Sequence, residues 1–222
     1  METVEYATGR LVDVFGAPEQ PTVLLWHGQQ ANARASVRRL AELLATHGLG
    51  VLAPDWNSHA DDGGGADLLR SVRFARETVD DPNGLVLVGW SMGGVAAAGL
   101  TIQARRLGVA FAHTVCLAGA FMVADPISGR VLATQLNGGA PANPFTLLHG
   151  LADDVIPVAV CHDFAAALRH NAWPVEVVEL AADHGSIAGA TYDTVADRYS
   201  PADDPQTLAV AAEVAARIAA VF

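Results

Sequence analysis

Short apolar runs alternate with longer helical patterns along most of the chain, and this alternation limits the possible folds more than any other feature. The run Thr22–Trp26 is continuously apolar, as expected of a strand that is covered on both faces. Ser36–Thr46 follows with leucine and valine at helical spacing, and Gly48 stands where a helix C-terminus often has glycine. The alternation predicts an α/β protein with a mostly parallel central sheet and helices on both faces.

The same unit recurs towards the C-terminus, and we expect one domain over residues 1–222. Besides Thr22–Trp26, strands are predicted at Leu11–Phe15, on an exposed edge, and at Val51–Ala53, Leu85–Val88, Thr114–Leu117, Phe145–Leu148 and Val175–Leu180. Further helices are predicted at Asp67–Val79, Gly93–Leu107, Val158–Arg169 and from Pro205 to about Val221. Irregular structure is predicted from Met122 to Pro144, and a flexible loop at Asp61–Gly65.

The charge balance argues against two classes of partner. The chain carries 13 basic and 24 acidic side chains, a net charge of −11. An acidic surface repels nucleic acid and anionic membranes, so neither is expected as a partner. Met1–Arg10 lacks the pattern of a signal peptide, and no apolar stretch is long enough to span a bilayer, so we expect a cytoplasmic protein. Cys116 lies in an apolar run and is predicted to be a buried small residue rather than part of a disulfide.

A candidate nucleophile lies in the sequence Gly89-Trp90-Ser91-Met92-Gly93, which matches the G-x-S-x-G pattern. The pattern by itself is weakly specific. Here it directly follows an apolar strand and directly precedes a helix, the context in which a serine projects from a sharp turn. Ser91 is therefore the predicted nucleophile.

Two later loops supply a candidate acid and a candidate base. Asp153 follows the strand at 145–148, and His184 follows the strand at 175–180. They complete the chain order serine, acid, histidine, in which the acid orients the histidine. Asp154 is expected to cap a turn or face water, and Asp125 is a weaker alternative acid. His149 is expected to support the acid loop, and the remaining histidines apart from His27 are predicted in helices or surface loops.

An oxyanion hole in such an architecture needs two backbone N–H groups, one of them from the residue after the nucleophile. That residue is Met92, and the loop after Trp26 offers Gln29, with Gln30 as an alternative. Trp56 and Trp90, together with Met92, are candidate walls of a substrate pocket, although large aromatic side chains equally often serve packing alone.

Four features in order resemble the α/β-hydrolase superfamily over nearly the whole chain: HGQ after the strand at 22–26, GWSMGG, HGLADDVIP and the DHG loop. The chain is similar to dienelactone hydrolase-like enzymes and small carboxylesterases. It differs from the former in having Ser91 where they carry a cysteine, and it lacks the HGGG stretch of several lipase and esterase groups. The resemblance implies an α/β-hydrolase fold without a large cap domain, acting on small acyl substrates without a metal or organic cofactor.

Ester hydrolysis through an acyl-enzyme on Ser91 is the first functional hypothesis. The same three residues would also serve a thioesterase, amidase or peptidase. A non-catalytic binding protein on the same fold is a third alternative, because fold does not dictate function. A complete serine–acid–histidine set argues against that third alternative. The sequence leaves the oligomeric state open.

Overall fold

The computed structural model describes residues 1–136 and 143–222. The helices of this part of the chain are α1 (Arg38–Thr46), α2 (Gly65–Thr78), α3 (Met92–Leu107), α4 (Val158–His170) and α5 (Pro205–Ala219). The strands are β1 (Glu2–Ala7), β2 (Arg10–Phe15), β3 (Thr22–Trp26), β4 (Gly50–Pro54), β5 (Val86–Trp90), β6 (His113–Leu117), β7 (Phe145–Gly150), β8 (Val175–Leu180), β9 (Ala190–Asp193) and β10 (Arg198–Pro201).

The central sheet has the strand order β1-β2-β4-β3-β5-β6-β7-β8. Strands β3 to β8 run parallel, while β1 and β2 are antiparallel to their neighbours. The prediction of a mostly parallel sheet is therefore confirmed. Because the carboxyl ends of the six parallel strands meet at one edge, the loops that follow them are brought together there.

Helices cover both faces of this sheet, as the continuous apolar strands predicted. Along β3, Val23 and Leu25 pack in the layer with α1 and α5. Leu24 and Trp26 point the other way, into the layer with α2 and α3. Successive side chains of a strand alternate between faces, so a strand buried on both sides must be apolar throughout.

The structure differs from the sequence prediction at two places in the chain. The strand predicted as the exposed edge is β2, but β1 pairs with it and forms the edge instead. A two-stranded hairpin of β9 and β10 lies between His184 and α5, where no strand was predicted. Charged and polar residues interrupt both β1 and the hairpin, which is why neither shows the apolar run of a core strand.

The stretch predicted to be irregular, Met122 to Pro144, lies partly outside the described residues, which omit 137–142. Its described part holds an isolated bridge between Ala124 and Val131 and a short 3-10 helix at Leu132–Thr134. These residues form no large cap over the sheet edge, in agreement with the prediction.

Two further sequence expectations concern cysteines and membrane spans. Cys116 and Cys161 are both buried and both free. Among the residues that the structure describes, no helix has the length and hydrophobicity required to cross a membrane.

A buried ion-pair network ties the sheet to the loop after β3. Asp13 of β2 and Asp55, just after β4, are 1% and 3% exposed. Both carboxylates bind the Arg34 guanidinium, and Asp55 also accepts a hydrogen bond of 3.1 Å from the Arg34 N–H. Arg34 begins the 3-10 helix that leads into α1, so this network fixes where the loop between β3 and α1 lies.

We expect Arg34→Met to destabilise the fold by about 3 kcal/mol, because it leaves two buried carboxylates without their shared cation. Arg217→Met is the matched control, since Arg217 pairs with Glu213 at the surface, where the two side chains are 43% and 52% exposed. The control should change the free energy of unfolding by less than about 0.5 kcal/mol. Urea denaturation of both variants measures the difference, and equal stabilities would show that the network does not anchor the loop.

Candidate active site

Ser91 occupies the sharp turn between β5 and α3. Its backbone has φ 56° and ψ −117°, a conformation that is strained for a residue with a side chain. The Ser91 N–H donates to the Leu117 carbonyl at 2.9 Å, which ties the turn to the end of β6. Ser91 remains partly exposed at the carboxyl edge of the sheet.

The glycines on either side of Ser91 are required by close backbone approach. A Cβ on Gly89 would lie 2.1 Å from the Gly93 carbonyl oxygen. A Cβ on Gly93 would lie 2.4 Å from the carbonyl oxygen of His27, at the end of β3. Any side chain at either position would therefore push α3 away from the sheet and displace Ser91.

Asp153 and His184 are brought into contact by the loops after β7 and β8. Their closest atoms, Asp153 Oδ2 and His184 Nδ1, are 2.8 Å apart, and the Asp153 side chain is fully buried. Asp153 Oδ1 accepts hydrogen bonds from the N–H groups of Val155, at 2.9 Å, and Ile156, at 2.8 Å. Burial raises the pKa of Asp153, but the hydrogen bonds from His184 and these backbone groups outweigh it and hold the pKa below its ordinary value.

Trp90 connects the loop of His184 to the turn of Ser91. Its Nε1–H donates to the His184 carbonyl at 2.8 Å, and the two rings lie 5.4 Å apart between centroids. Tyr199 of β10 packs against both rings, at 4.9 Å from Trp90 and 5.9 Å from His184. With Nδ1 bonded to Asp153, Nε2 is the nitrogen of His184 that is left for a reacting group.

His149 supports the acid loop, as the sequence analysis expected. The side chain is fully buried, and its Nε2 lies 2.8 Å from the Ile156 carbonyl, which can accept the Nε2 proton. The same nitrogen lies 3.6 Å from Asp153 Oδ2. His149 therefore holds the turn whose N–H groups bind Asp153.

The two other candidate acids have different surroundings. Asp125 is fully buried, and its carboxylate binds within its own segment, to Ile127 N–H, Ser128 and Gln135. Its oxygens are thus occupied by hydrogen bonds that do not involve His184. Asp154 is exposed, in agreement with the expectation that it faces water.

His27 organises the loop that was predicted to contribute to the oxyanion hole. Its Nδ1 lies 2.8 Å from the Gly28 carbonyl and can donate to it. Its Nε2 accepts from the N–H groups of Ala33 and Trp56, both at 3.2 Å. Complete burial lowers the pKa of His27 to about 4, so the ring is neutral at physiological pH and can both donate and accept.

This arrangement orients the backbone of Gln29. Since the Gly28–Gln29 peptide is trans, engaging the Gly28 carbonyl with His27 turns the Gln29 N–H to the opposite side. No described residue accepts a hydrogen bond from that N–H. A Cβ on Gly28 would lie 3.2 Å from Ser91 Cβ, so this loop runs directly beside the nucleophile.

Met92 offers the second N–H group. It is the first residue of α3, where backbone N–H groups have no partner within the helix, and the helix dipole favours negative charge there. Gln30, the alternative to Gln29, is held through its carbonyl, which accepts from the N–H of Ser58 at 3.5 Å and from its hydroxyl at 3.3 Å.

The two tryptophans proposed as pocket walls are buried: Trp56 is 0% and Trp90 1% exposed. Trp56 stacks on His27 at 5.2 Å, and Trp90 packs on His184 and Tyr199. Trp56 therefore positions the loop of His27 and Trp90 the loop of His184, and contact of either with a substrate stays a prediction. Tyr199, which sequence reasoning missed, has no local signal, because its role depends on the hairpin folding back onto His184.

The expectation that no metal is needed also stays a prediction. Within residues 1–136 and 143–222, no group of three His, Cys, Asp or Glu side chains is placed to hold a metal ion.

Lowering the pH should destabilise the fold, because the buried His27 ring resists protonation. An unfolded chain binds a proton on this ring near pH 6.5, whereas the folded protein does so only near 4, so stability is lost as pH falls through that window. The loss should be about 3 kcal/mol. We expect His27→Gln to flatten this pH dependence and His170→Gln, at an exposed position, to preserve it. Urea melts between pH 7 and 4 measure it, and identical slopes in all three proteins would contradict the assignment of a buried neutral His27.

Comparison with solved structures shows that the fold is shared with known esterases. Esterase 2 of Thermogutta terrifontis in its propionate-bound form superposes with a TM-score of 0.71 at 19% identity, covering 98% of this chain and 94% of that one. A putative carboxylesterase from Lactobacillus plantarum superposes with a TM-score of 0.67 at 17% identity, covering 85% of this chain and 88% of that one. At such identities the likeness concerns the fold alone.

Comparison of sequences gives the family. No curated protein matches this chain. The sequence pattern of the alpha/beta hydrolase family, however, matches residues 23–221, which include all of β3 except Thr22, the turn at Ser91 and the loops of Asp153 and His184. The chain therefore belongs to the alpha/beta hydrolase family.

Proposed function

We propose that this protein is a serine hydrolase that cleaves carboxylic esters of small to medium size through an acyl-enzyme on Ser91. The observation that carries the proposal is the 2.8 Å contact between Asp153 and His184, whose loop is bonded to the residue preceding Ser91. A buried carboxylate, an imidazole and a serine on a strained turn form the set that nucleophilic acyl transfer requires.

Acylation begins when His184 Nε2 takes the Ser91 hydroxyl proton and Ser91 Oγ attacks the ester carbonyl. The carbonyl oxygen becomes an oxyanion, and the N–H groups of Gln29 and Met92 are the donors aimed at it. Removing one donor of this kind typically raises the barrier by about 3 kcal/mol. His184 then gives its proton to the leaving alcohol, and the acyl group stays on Ser91.

Deacylation repeats the same steps with water as the nucleophile. His184 takes a proton from water, the hydroxide attacks the acyl-enzyme, and the proton returns to Ser91 Oγ as the carboxylic acid leaves. Asp153 stays ionised throughout, in keeping with its lowered pKa, and stabilises the imidazolium that forms twice in each cycle.

The relatives favour esters among the possible acyl substrates. The Thermogutta esterase 2 has been observed with propionate and with butyrate bound, and phosphorylated by paraoxon. We propose a small-molecule acyl substrate of that class for this chain as well. The net charge of −11 makes nucleic acid or an anionic membrane surface an unfavourable partner.

We expect Ser91→Ala to fold normally and to abolish hydrolysis of p-nitrophenyl acetate and butyrate, because no acyl-enzyme can form. A fluorophosphonate should label the wild type and fail to label this variant. Ser200→Ala, a change on β10, should keep both activity and labelling. Labelling without ester turnover would keep Ser91 as the nucleophile and redirect the substrate search to thioesters, amides or peptides. Ester turnover by Ser91→Ala would refute the proposal.

Two adjacent aspartates allow a matched test of the acid. Asp153→Asn should lower kcat on the order of 10⁴-fold, because the His184 ring loses the partner that fixes its tautomer. Asp154→Asn removes the same charge one residue away, at an exposed position, and should leave kcat within about twofold. Steady-state kinetics on p-nitrophenyl acetate separate the two, and similar losses in both variants would mean that Asp153 has no specific role.

A further inference from the structure

A surface groove of about 680 Å³ lies between the segment that connects β4 to α2 and the segment that follows β6. We call it the Met92 groove. Its lining includes Ser58, Asp61, Leu69, Met92, Pro126 and Ile127. A groove of this volume is large enough for a small-molecule ligand.

The Met92 groove borders one of the two proposed oxyanion donors and is linked by hydrogen bonds to the neighbour of the other. Met92, which follows the nucleophile, lines it directly. Ser58, another lining residue, donates its N–H and hydroxyl to the carbonyl of Gln30, the neighbour of Gln29. Because Met92 directly follows Ser91 in the chain and lines the groove, a substituent of an ester held at Ser91 can extend towards the groove.

The walls of the groove are held in place by hydrogen bonds and by close packing. Asp62 accepts from the N–H groups of Gly64, at 3.0 Å, and Ala66, at 2.8 Å, which fixes the turn before α2. A Cβ on Gly65 would lie 2.4 Å from the Pro126 carbonyl oxygen, so the two walls touch at that point. Buried Asp125 fixes the opposite wall through the N–H groups that follow it. The groove is thus preformed.

The chemistry of the lining favours an apolar group and disfavours an anionic one. Leu69, Met92, Pro126 and Ile127 supply apolar surface, and Leu69 is 37% exposed although it is a large hydrophobic residue. The charged side chains of the lining are all aspartates, and the pKa of Asp62 is held below its ordinary value by the backbone N–H groups it binds. A carboxylate placed in this groove would lose water and gain repulsion.

We propose that the Met92 groove binds the aliphatic acyl chain of the ester, and that Leu69 and Ile127 determine its permitted length. The inference rests on the proposed function, because the groove acquires this role only if Ser91 is the nucleophile. It goes further in assigning a substrate class, esters with an uncharged aliphatic chain, and a location for that chain.

The test fills the groove with a large side chain. Leu69→Trp and, separately, Ile127→Trp should lower kcat/KM for p-nitrophenyl octanoate by about tenfold and leave p-nitrophenyl acetate within about twofold. Leu11→Trp is the matched control: Leu11 is 39% exposed, on β2, and its substitution should change neither ester. Thermal melts verify that the variants are folded.

Two series of esters, one with acyl groups and one with alcohols of increasing length, show which part of the ester occupies the groove. Loss confined to long acyl groups is the expected result and places the acyl chain in the groove. Loss confined to acetates of long alcohols would overturn the proposal, because it would place the alcohol there instead. Unchanged kcat/KM in both series, with turnover still dependent on Ser91, would overturn it.

A labelling assay distinguishes failure of the groove assignment from failure of the proposed function. Rates of inactivation by methyl and octyl fluorophosphonates require a nucleophilic serine but no ester turnover. The octyl reagent should react about tenfold more slowly with Leu69→Trp than with the wild type, and the methyl reagent equally fast with both. Absence of labelling in the wild type would instead defeat the proposed function itself.

The predicted selectivity against a negatively charged chain can be measured on the wild type. The p-nitrophenyl half-ester of octanedioic acid matches the octanoate ester in length but ends in a carboxylate. It should be hydrolysed about tenfold more slowly, because its charge would enter an apolar groove edged by aspartates. Equal kcat/KM values for the two esters would overturn the assignment of an uncharged chain.

Discussion

The contact between the backbone of α3 and the carboxyl ends of β3 and β5 is the constraint on which the site depends. Because a Cβ at Gly89 or Gly93 would overlap main-chain oxygen atoms, the start of α3 lies closer to the sheet than a residue with a side chain would allow. This proximity brings Ser91, the Met92 N–H and the loop of Gln29 to one point. The strained backbone of Ser91 persists because the packing on both sides of it leaves no alternative.

Two polar clusters then hold the neighbouring loops by opposite electrostatic means. Around His27, burial suppresses charge, and the neutral ring donates to Gly28 and accepts from Ala33 in its own loop and from Trp56 in the loop after β4. Around Asp153, hydrogen bonds keep a buried carboxylate ionised. The His27 cluster needs an uncharged ring, since it only orients the backbone of the loops around it. The Asp153 cluster needs a charge, since in the proposed reaction it faces an imidazole that becomes cationic.

The fold and the three catalytic candidates could be predicted from the sequence because both depend on local patterns. Continuous apolar runs identify β3, β5 and β7, and parallel strands place whatever follows their carboxyl ends at one edge of the sheet. Ser91 and Asp153 each follow such a run, and His184 follows β8, in which Glu176 and Glu179 alternate with apolar residues. The contact between Asp153 and His184 was thus expected from position alone, without any knowledge of side-chain packing.

The parts that could not be predicted depend on contacts between distant segments. The hairpin of β9 and β10 is mostly exposed, and its sequence shows no core pattern. Tyr199 attaches it to Trp90, more than a hundred residues earlier in the chain. Likewise, nothing near Trp56 in sequence indicates that it stacks on His27. Burial of a lone aromatic residue after a strand is a property of the assembled loops.

The same hairpin suggests where this architecture can vary over evolution. Its outer end is exposed, with Val195 at 95%, while its inner end carries the tyrosine that packs on the histidine loop. Extra residues inserted at the outer end would leave the inner contact in place, since exposed loop ends tolerate insertion. A lineage could therefore lengthen the hairpin to reshape the approach to Ser91 without disturbing the sheet or the position of His184.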